Sequence, residues 1–130
     1  MKKITENWLL SSNYDIETAY YMLKTGRYIY VIFMCHLATE KLLKAIVSEL
    51  QEEKPPKTHD LVFLTKLIKL KLPDKFEKLI ADLSSVSIPT RYPEEMSQIS
   101  KKYNKSTAKK YFNETKELLL WLKQHEKLKK

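Results

Sequence analysis

The chain has 130 residues, which suits one domain with a hydrophobic core of its own. Hydrophobic residues make up 43% of it and charged residues 31%, which is the composition of a soluble globular protein. The single glycine argues against an all-β fold with many tight turns, and it excludes a glycine-rich phosphate-binding loop. We therefore predict one helical domain over residues 1–130.

The net charge of +8 is distributed unevenly along the chain. Residues 101–130 carry ten Lys/Arg and three Asp/Glu, whereas residues 1–53 carry six and seven. Such a basic segment can attract a polyanion or an acidic partner protein, or it can simply keep the surface soluble. Because Arg27 and Arg91 are the only arginines, we favour the solubilising lysine face.

The single cysteine and the N-terminal residues indicate the cellular compartment in which we expect the protein. Cys35 falls on the apolar face of a predicted helix and cannot form an internal disulfide, which fits a reducing compartment. The N-terminal sequence lacks the apolar run of a signal peptide, and no window approaches the ~20 apolar residues of a membrane span. We expect a cytoplasmic protein without a membrane segment.

Apolar residues in steps of three and four predict two long helices, over residues 4–24 and 27–50. Gly26 lies just beyond the first helix, where a left-handed cap suits glycine. So short a connection makes the two helices an antiparallel hairpin. The second helix is apolar around much of its circumference, which predicts burial between neighbouring helices.

Shorter helices are predicted over residues 59–70 and 74–84, and a last helix over 106–127. Thr58 is the predicted N-cap of the third helix, and Ser106 or Asn104 that of the last. Residues 84–97 contain two prolines and form the longest irregular segment, of a kind that is often functional. The predicted fold is all-α: an antiparallel up-and-down bundle of four to five helices, with one long loop before the last helix.

Three charged residues, Glu40, Lys41 and Lys44, interrupt the apolar surface of the second helix. Glu40 and Lys44 are four residues apart with the acid first, which is the favourable order for a helical ion pair. The pattern favours a solvated stripe over a charged corner at the edge of a groove. Asp15 and Glu17 on the first helix are likewise expected in solvent.

The histidines and Arg91 are the other candidates for a site. His59 opens the third helix, and we favour a structural brace over a ligand-binding or catalytic role. His36 and Glu40 could supply two metal ligands, but no second pair or zinc-type cluster accompanies them, so we predict no metal, no cofactor and no assigned catalytic residue. The Arg91 guanidinium can bind a carboxylate or phosphate ligand, or it can pair with Glu40 or Glu94 to hold the loop.

A set of short motifs, taken in order, resembles the HEPN domain (higher eukaryotes and prokaryotes nucleotide-binding), in the branch with Glu-Lys in helix two and Thr-Arg-Tyr-Pro in the long loop. The resemblance covers nearly the whole chain. The motifs are Trp8, Gly-Arg-Tyr at 26–28, Ala-Thr-Glu-Lys-Leu-Leu-Lys-Ala at 38–45, Thr-His-Asp-Leu at 58–61, Thr-Arg-Tyr-Pro-Glu at 90–94, and Ala108.

The resemblance implies a helical bundle that forms a homodimer. It also implies a prokaryotic protein encoded beside a minimal nucleotidyltransferase, in what look like toxin–antitoxin modules. Many members are metal-independent ribonucleases with an Arg-x4–6-His motif. This chain departs from that motif, because eight residues separate Arg27 from His36 and no histidine follows Arg91 before His125.

What the resemblance then implies is the binding of a nucleotide, an RNA end or the nucleotidyltransferase partner. In this interpretation Lys41 and Arg91 bind phosphates, and Tyr92 contacts a base or sugar. His59 braces the loop or donates a hydrogen bond, and Glu40 orients Arg91. The alternatives are a metal-independent ribonuclease with a non-standard Arg/His site and a purely structural interaction module. The predicted ligand-binding residues are Glu40, Lys41, Lys44, His59, Arg91 and Tyr92.

Overall fold

A computed structural model describes residues 1–86 and 101–128 of the protein. All regular structure in these ranges is helical, so the predicted all-α fold is confirmed. The predicted long loop, with Arg91 and Tyr92, lies outside the described residues. The elements are α1 (Lys3–Lys24), α2 (Tyr28–Leu50), α3 (Leu61–Leu67), α4 (Asp74–Val86), α5 (Lys105–Leu122) and a 3-10 turn (Glu126–Leu128).

Helices α1 and α2 form the predicted antiparallel hairpin. Gly26 adopts a left-handed conformation, with φ of +79°, and lets the chain reverse between them. The start of α1 lies against the end of α2, where the Thr5 and Ser48 hydroxyls are 2.7 Å apart. Near the middle of the hairpin the Ser12 hydroxyl donates to the Ala38 carbonyl at 2.7 Å. The small side chains at these positions therefore allow the two backbones to approach closely.

The centre of the bundle is α2, as predicted, and it contacts all four other helices. Large aliphatic side chains from α2, α3, α4 and α5 are almost completely removed from solvent around it. Each contributes about 1.5–3 kcal/mol to folding, so packing against α2 dominates the stability of the domain. These side chains are Leu42, Leu43, Ile46, Leu61, Leu64, Ile80, Leu83, Leu118 and Leu122.

Helix α3 is shorter at its start than the predicted helix over residues 59–70, and its N-cap is not Thr58. Asp60 caps it, because its Oδ1 accepts a hydrogen bond from the Phe63 N–H at 3.1 Å. The Thr58 hydroxyl instead accepts from the Asp60 N–H. A carboxylate satisfies an N-terminal N–H and complements the helix dipole, which favours the later start. His59 consequently lies in the α2–α3 connection and not in the helix.

Helix α3 also ends earlier than predicted. Lys69 adopts a left-handed conformation, with φ of 52°, and the Leu70 N–H donates to the Thr65 carbonyl at 3.0 Å. This hydrogen bond closes the C-terminal end in the manner of a Schellman motif, although the left-handed residue is a lysine and not a glycine. The absence of a glycine or proline stop signal explains why the sequence pattern overestimated the length of the helix.

The last helix begins close to its predicted start but ends earlier than predicted. Of the two proposed caps, Asn104 is the one used, and its side chain accepts from the Thr107 N–H at 3.0 Å. The helix ends at Leu122, before the predicted residue 127, and a 3-10 turn (Glu126–Leu128) follows. Lys123 then reaches across to α1, where its Nζ donates to the Asn13 side chain at 2.7 Å.

Candidate functional site

A buried ion pair on α2 is the centre of the candidate site. Glu40 is 4% exposed and Lys44 6%, and the lysine Nζ donates to Glu40 Oε2 at 3.1 Å. The predicted solvated stripe is therefore wrong for these two residues. The face that carries them is covered by α1 and by the α2–α3 connection, and a periodic pattern within one helix does not reveal which neighbours cover it.

His59 extends this ion pair to the protein surface. Its Nδ1 lies 2.9 Å from Glu40 Oε1, and because a carboxylate only accepts hydrogen bonds, Nδ1 carries the proton. The His59 side chain is 61% exposed, whereas that of Glu40 is 5% exposed. The predicted brace is thus present, but it has a second property. A buried carboxylate orients an exposed imidazole, whose Nε2 edge is then the part that can meet a ligand.

His36 holds the same segment from beneath. Its ring is completely buried, one turn before Glu40 on α2, and its Nε2–H donates to the backbone carbonyl of His59 at 3.0 Å. Its Nδ1 lies 3.9 Å from Glu40 Oε1. Helix α2 therefore fixes both the backbone and the ring of His59. The sequence suggests His36 as a metal ligand or as a partner of Arg27 in a ribonuclease motif, and its role as a support was missed.

Trp8 of α1 completes the surroundings of the buried lysine. The Lys44 ammonium lies 5.5 Å from the centroid of the Trp8 ring, within the range of a cation–π contact. The ammonium is therefore held between a carboxylate and an aromatic face, and both contacts are internal. Trp8 was part of the motif that resembled the HEPN domain, and the structure gives it a concrete part in the site.

Lys41 belongs to a separate ion pair between α1 and α2. Its Nζ lies 2.7 Å from Asp15 Oδ2, and Asp15 is only 7% exposed. The expectation that Asp15 is solvated is therefore wrong, while Glu17 is exposed as expected. The predicted hairpin could have indicated the pair of Lys41 with Asp15. Residues at roughly equal distances from Gly26 meet across it, as Thr5 and Ser48 do.

Cys35, one residue before His36, is a core residue as predicted. Its side chain is completely buried, and burial raises the pKa of the thiol to about 12, although the neighbouring Thr115 side chain acts in the opposite direction. A thiol with so high a pKa is not a nucleophile near neutral pH. Within the described ranges, 1–86 and 101–128, no group of three or more His, Cys, Asp or Glu side chains is placed to hold a metal ion.

The comparison with known protein families agrees with this arrangement. A model of the HEPN domain matches residues 5–125, which is nearly the whole chain. The chain belongs to the HEPN family. No protein with a curated description shows a significant match to this HEPN domain.

Two solved structures share the HEPN fold. The crystal structure of TT1696 from Thermus thermophilus aligns with a TM-score of 0.77 at 20% identity and covers 95% of this chain and 98% of that one. The crystal structure of ST0689, an archaeal HEPN homologue, aligns with a TM-score of 0.74 at 24% identity and covers 95% and 97%. At these identities the likeness establishes the fold alone.

Within this HEPN domain, the structure brings three of the six predicted site residues together. Glu40, Lys44 and His59 form one hydrogen-bonded group, whereas Lys41 pairs with Asp15. The other two predicted site residues and the proposed pair of Glu40 with the loop arginine lie outside the described residues. In the part of the chain that the structure describes, no helix is long and apolar enough to span a bilayer.

Proposed function

We propose that this HEPN protein binds a nucleotide or the end of an RNA chain at the surface where His59 is exposed. The observation that carries the proposal is the exposed His59 ring, held at 2.9 Å by the buried Glu40 carboxylate. A ring that is already oriented loses little entropy on binding. With Nδ1–H engaged, Nε2 of the neutral ring accepts from a ribose hydroxyl and Nε2–H of the charged ring donates to a phosphate.

The other members of the proposed site act at different distances from the ligand. Glu40 and Lys44 support His59 from the interior and do not themselves touch the nucleotide. Lys57, exposed two residues before His59, supplies positive charge for phosphates. Two further residues keep their proposed parts: the arginine at position 91 binds phosphate, and the tyrosine at position 92 binds the base or sugar.

Calorimetric titration of the protein with AMP, ATP and a short single-stranded RNA tests this proposal. We expect His59→Ala to weaken nucleotide binding about tenfold, because one hydrogen bond to a charged group is lost. The matched control is His125→Ala, which removes a partly exposed histidine near the C-terminus. Calorimetry gives the affinities, and circular dichroism confirms folding. Equal losses in the two variants, or no binding by the wild type, would overturn the proposal.

The proposed oligomer is a homodimer, supported by an apolar stripe on α1. Leu10, Tyr14 and Tyr21 are 66%, 74% and 54% exposed. Their spacings of four and seven residues place them on one face of the helix. We expect Tyr14→Glu to convert the dimer to a monomer in light scattering after gel filtration. Leu120→Glu, at a similarly exposed leucine of α5, is expected to leave the dimer intact.

The proposed context is a prokaryotic cytoplasm and a toxin–antitoxin-type module with a minimal nucleotidyltransferase partner. It rests on family membership. Co-expression of the tagged chain with the neighbouring nucleotidyltransferase gene, if one is encoded there, tests this context. Recovery of a stoichiometric complex supports it, and separate elution of the two proteins contradicts it.

A metal-independent ribonuclease is the second candidate function, and the Glu40–His59 pair favours it. A carboxylate that fixes the protonated Nδ1 of an imidazole leaves Nε2 to act as a general base toward a ribose 2′-hydroxyl. Cleavage of RNA in the presence of EDTA that disappears in His59→Ala would establish this activity. If binding occurs without cleavage over a broad panel of RNAs, the non-catalytic function stands. If neither occurs, the charged residues serve only the fold.

A further inference from the structure

A concave surface lies between the C-terminal end of α3 and helix α4. Its volume is about 670 Å³, within the usual range of ligand-binding pockets, and its described lining residues do not include Glu40, Lys41, Lys44 or His59. Four aliphatic side chains contribute to its apolar floor. They are Val62, Leu70, Leu72 and Ile80. We call this surface the α3–α4 groove.

The rim of the α3–α4 groove is positively charged. Lys66, Lys69 and Lys71 line it and are exposed, and Glu77 is the one acidic residue among the described side chains that line the groove. The left-handed turn at Lys69 directs the chain from α3 toward α4 and so brings the three lysines around one apolar depression. The groove therefore combines a floor that favours burial of apolar groups with a rim that favours anions.

Interaction of the lysines with the dipole at the C-terminal end of α3 explains only part of this arrangement. Cations near a helix C-terminus complement its dipole, and this explains Lys66 and Lys69. The effect falls off within the last turn, so it does not explain Lys71, which lies beyond the turn. It also does not explain the apolar floor. A surface that unites both features is typical of a docking site for an amphipathic segment.

The groove is better suited to a protein segment than to nucleic acid. Among the described residues that line it, no aromatic side chain offers a surface on which a base could stack, and no arginine could bind a phosphate or guanine in a bidentate manner. Lysine pairs readily with single carboxylates, and aliphatic floors accept leucine-like side chains. The charge and composition of the groove therefore complement a segment that carries leucines on one face and carboxylates on its flanks.

We propose that the α3–α4 groove docks an acidic amphipathic helical segment of a partner protein. The apolar side chains of the segment enter between Val62, Leu70 and Ile80, and its carboxylates meet Lys66, Lys69 and Lys71. The described lining residues of the groove do not include His59, Glu40, Lys41 or Lys44, so its variants can be tested separately from nucleotide binding at His59.

A synthetic peptide tests the proposal directly. The probe is a fluorescein-labelled helical peptide of about 14 residues, with leucines on one face and glutamates on the others. A peptide of the same composition, with the leucines distributed around the helix, is the control for charge alone. We expect the amphipathic peptide to bind the wild-type protein at least about tenfold more tightly than its scrambled counterpart, because only the former can fill the floor.

Two groove variants and one matched control locate the binding. Lys69→Glu/Lys71→Glu reverses part of the rim, and Ala81→Trp fills the groove from an exposed position on α4 without removing a core side chain. We expect each to weaken peptide binding about tenfold. The control, Lys105→Glu/Lys109→Glu, makes the same charge change on exposed positions of α5 and is expected to bind as the wild type does.

Three outcomes would overturn the proposal. The first is equal affinity for the amphipathic and scrambled peptides, which would mean that charge alone attracts them. The second is equal loss in the groove variants and in the α5 control. The third is a short RNA that perturbs the amide resonances of Val62 and Ala81 more strongly than the peptide does, which would assign the groove to nucleic acid.

Discussion

Helices α2 and α5 both carry charged residues, but the two helices place them in opposite environments. On α2, Glu40 and Lys44 are nearly completely buried and are bonded to each other. On α5, Lys105 and Lys109 are exposed to solvent. The C-terminal part of the chain carries the larger net charge, whereas the charged side chains of α2 are bonded to partners within the fold. Burial of a charged side chain, and not the number of charges on a helix, therefore identifies the charges on which we expect structure and function to depend.

The physical reason is the cost of removing a charge from water. A buried ion loses its hydration and must regain that energy from a partner, so the loss of one partner leaves the other with an uncompensated charge. An exposed lysine keeps its hydration whether or not a partner is present. Four substitutions or titrations test this difference between α2 and α5.

The largest effect is expected for Glu40→Gln. The change leaves the Lys44 ammonium buried without a carboxylate, which costs about 3–5 kcal/mol of the free energy of unfolding. Urea unfolding followed by circular dichroism measures it. The control is Glu117→Gln, because the Glu117 side chain is 64% exposed and lies 3.6 Å from Lys75 in a surface pair worth less than about 1 kcal/mol. Similar losses in both variants would refute the comparison.

A smaller loss is expected for Lys41→Ala. The Asp15 carboxylate, 7% exposed, then loses the ammonium that lies 2.7 Å from it. Because Lys41 itself is partly exposed, we expect a loss of about 1–3 kcal/mol. Lys3→Ala is the control, since its pair with Glu6 is 3.9 Å long and lies in solvent. A value for Lys41→Ala below that of the control would show that the α1–α2 ion pair does not stabilise the hairpin.

The burial of α2 also predicts a dependence of stability on pH. The Cys35 thiol has a pKa raised by burial from 9.0 to about 12 in the folded protein, so the folded state keeps its proton longer than the unfolded chain. The contribution is complete below pH 9 and is lost as the pH rises toward 12. Relative to Cys35→Ala, the wild type is expected to lose about 1 kcal/mol more between pH 9 and 10. Parallel curves for the two proteins would contradict this.

The smallest effect is expected on α5. Lys109→Ala removes an exposed charge, and the free energy of unfolding should change by less than about 0.5 kcal/mol. The same urea titration measures it. A loss comparable with that of Lys41→Ala would mean that the lysines of α5 have structural partners, and the contrast with α2 would then disappear.

Much of the fold could be predicted from the sequence, whereas only parts of the site could. The hairpin and the central position of α2 follow from spacing and from Gly26, and capping chemistry left Ser106 and Asn104 as the two candidates for the last N-cap. The burial of Glu40, Lys44 and Asp15 did not follow, because an acid and a base four residues apart look the same on a solvated helix and on a covered one. The support of His59 by His36 was missed for a similar reason, since the hydrogen bond joins residues from two elements.

By itself, the amino-acid sequence determined that the chain is all-helical with α2 at its centre, because periodic apolar residues and a single glycine permit few other arrangements. The resemblance to the HEPN domain came from the order of its short motifs. Only the tertiary structure decided which charged side chains are buried and paired and which remain in solvent. Whether a polar side chain is solvated or buried depends on the helix that packs over it, and that information is not local in the chain. The placement of α1 and of the α2–α3 connection over one face of α2 converts an ordinary helical ion pair into the support of an exposed histidine.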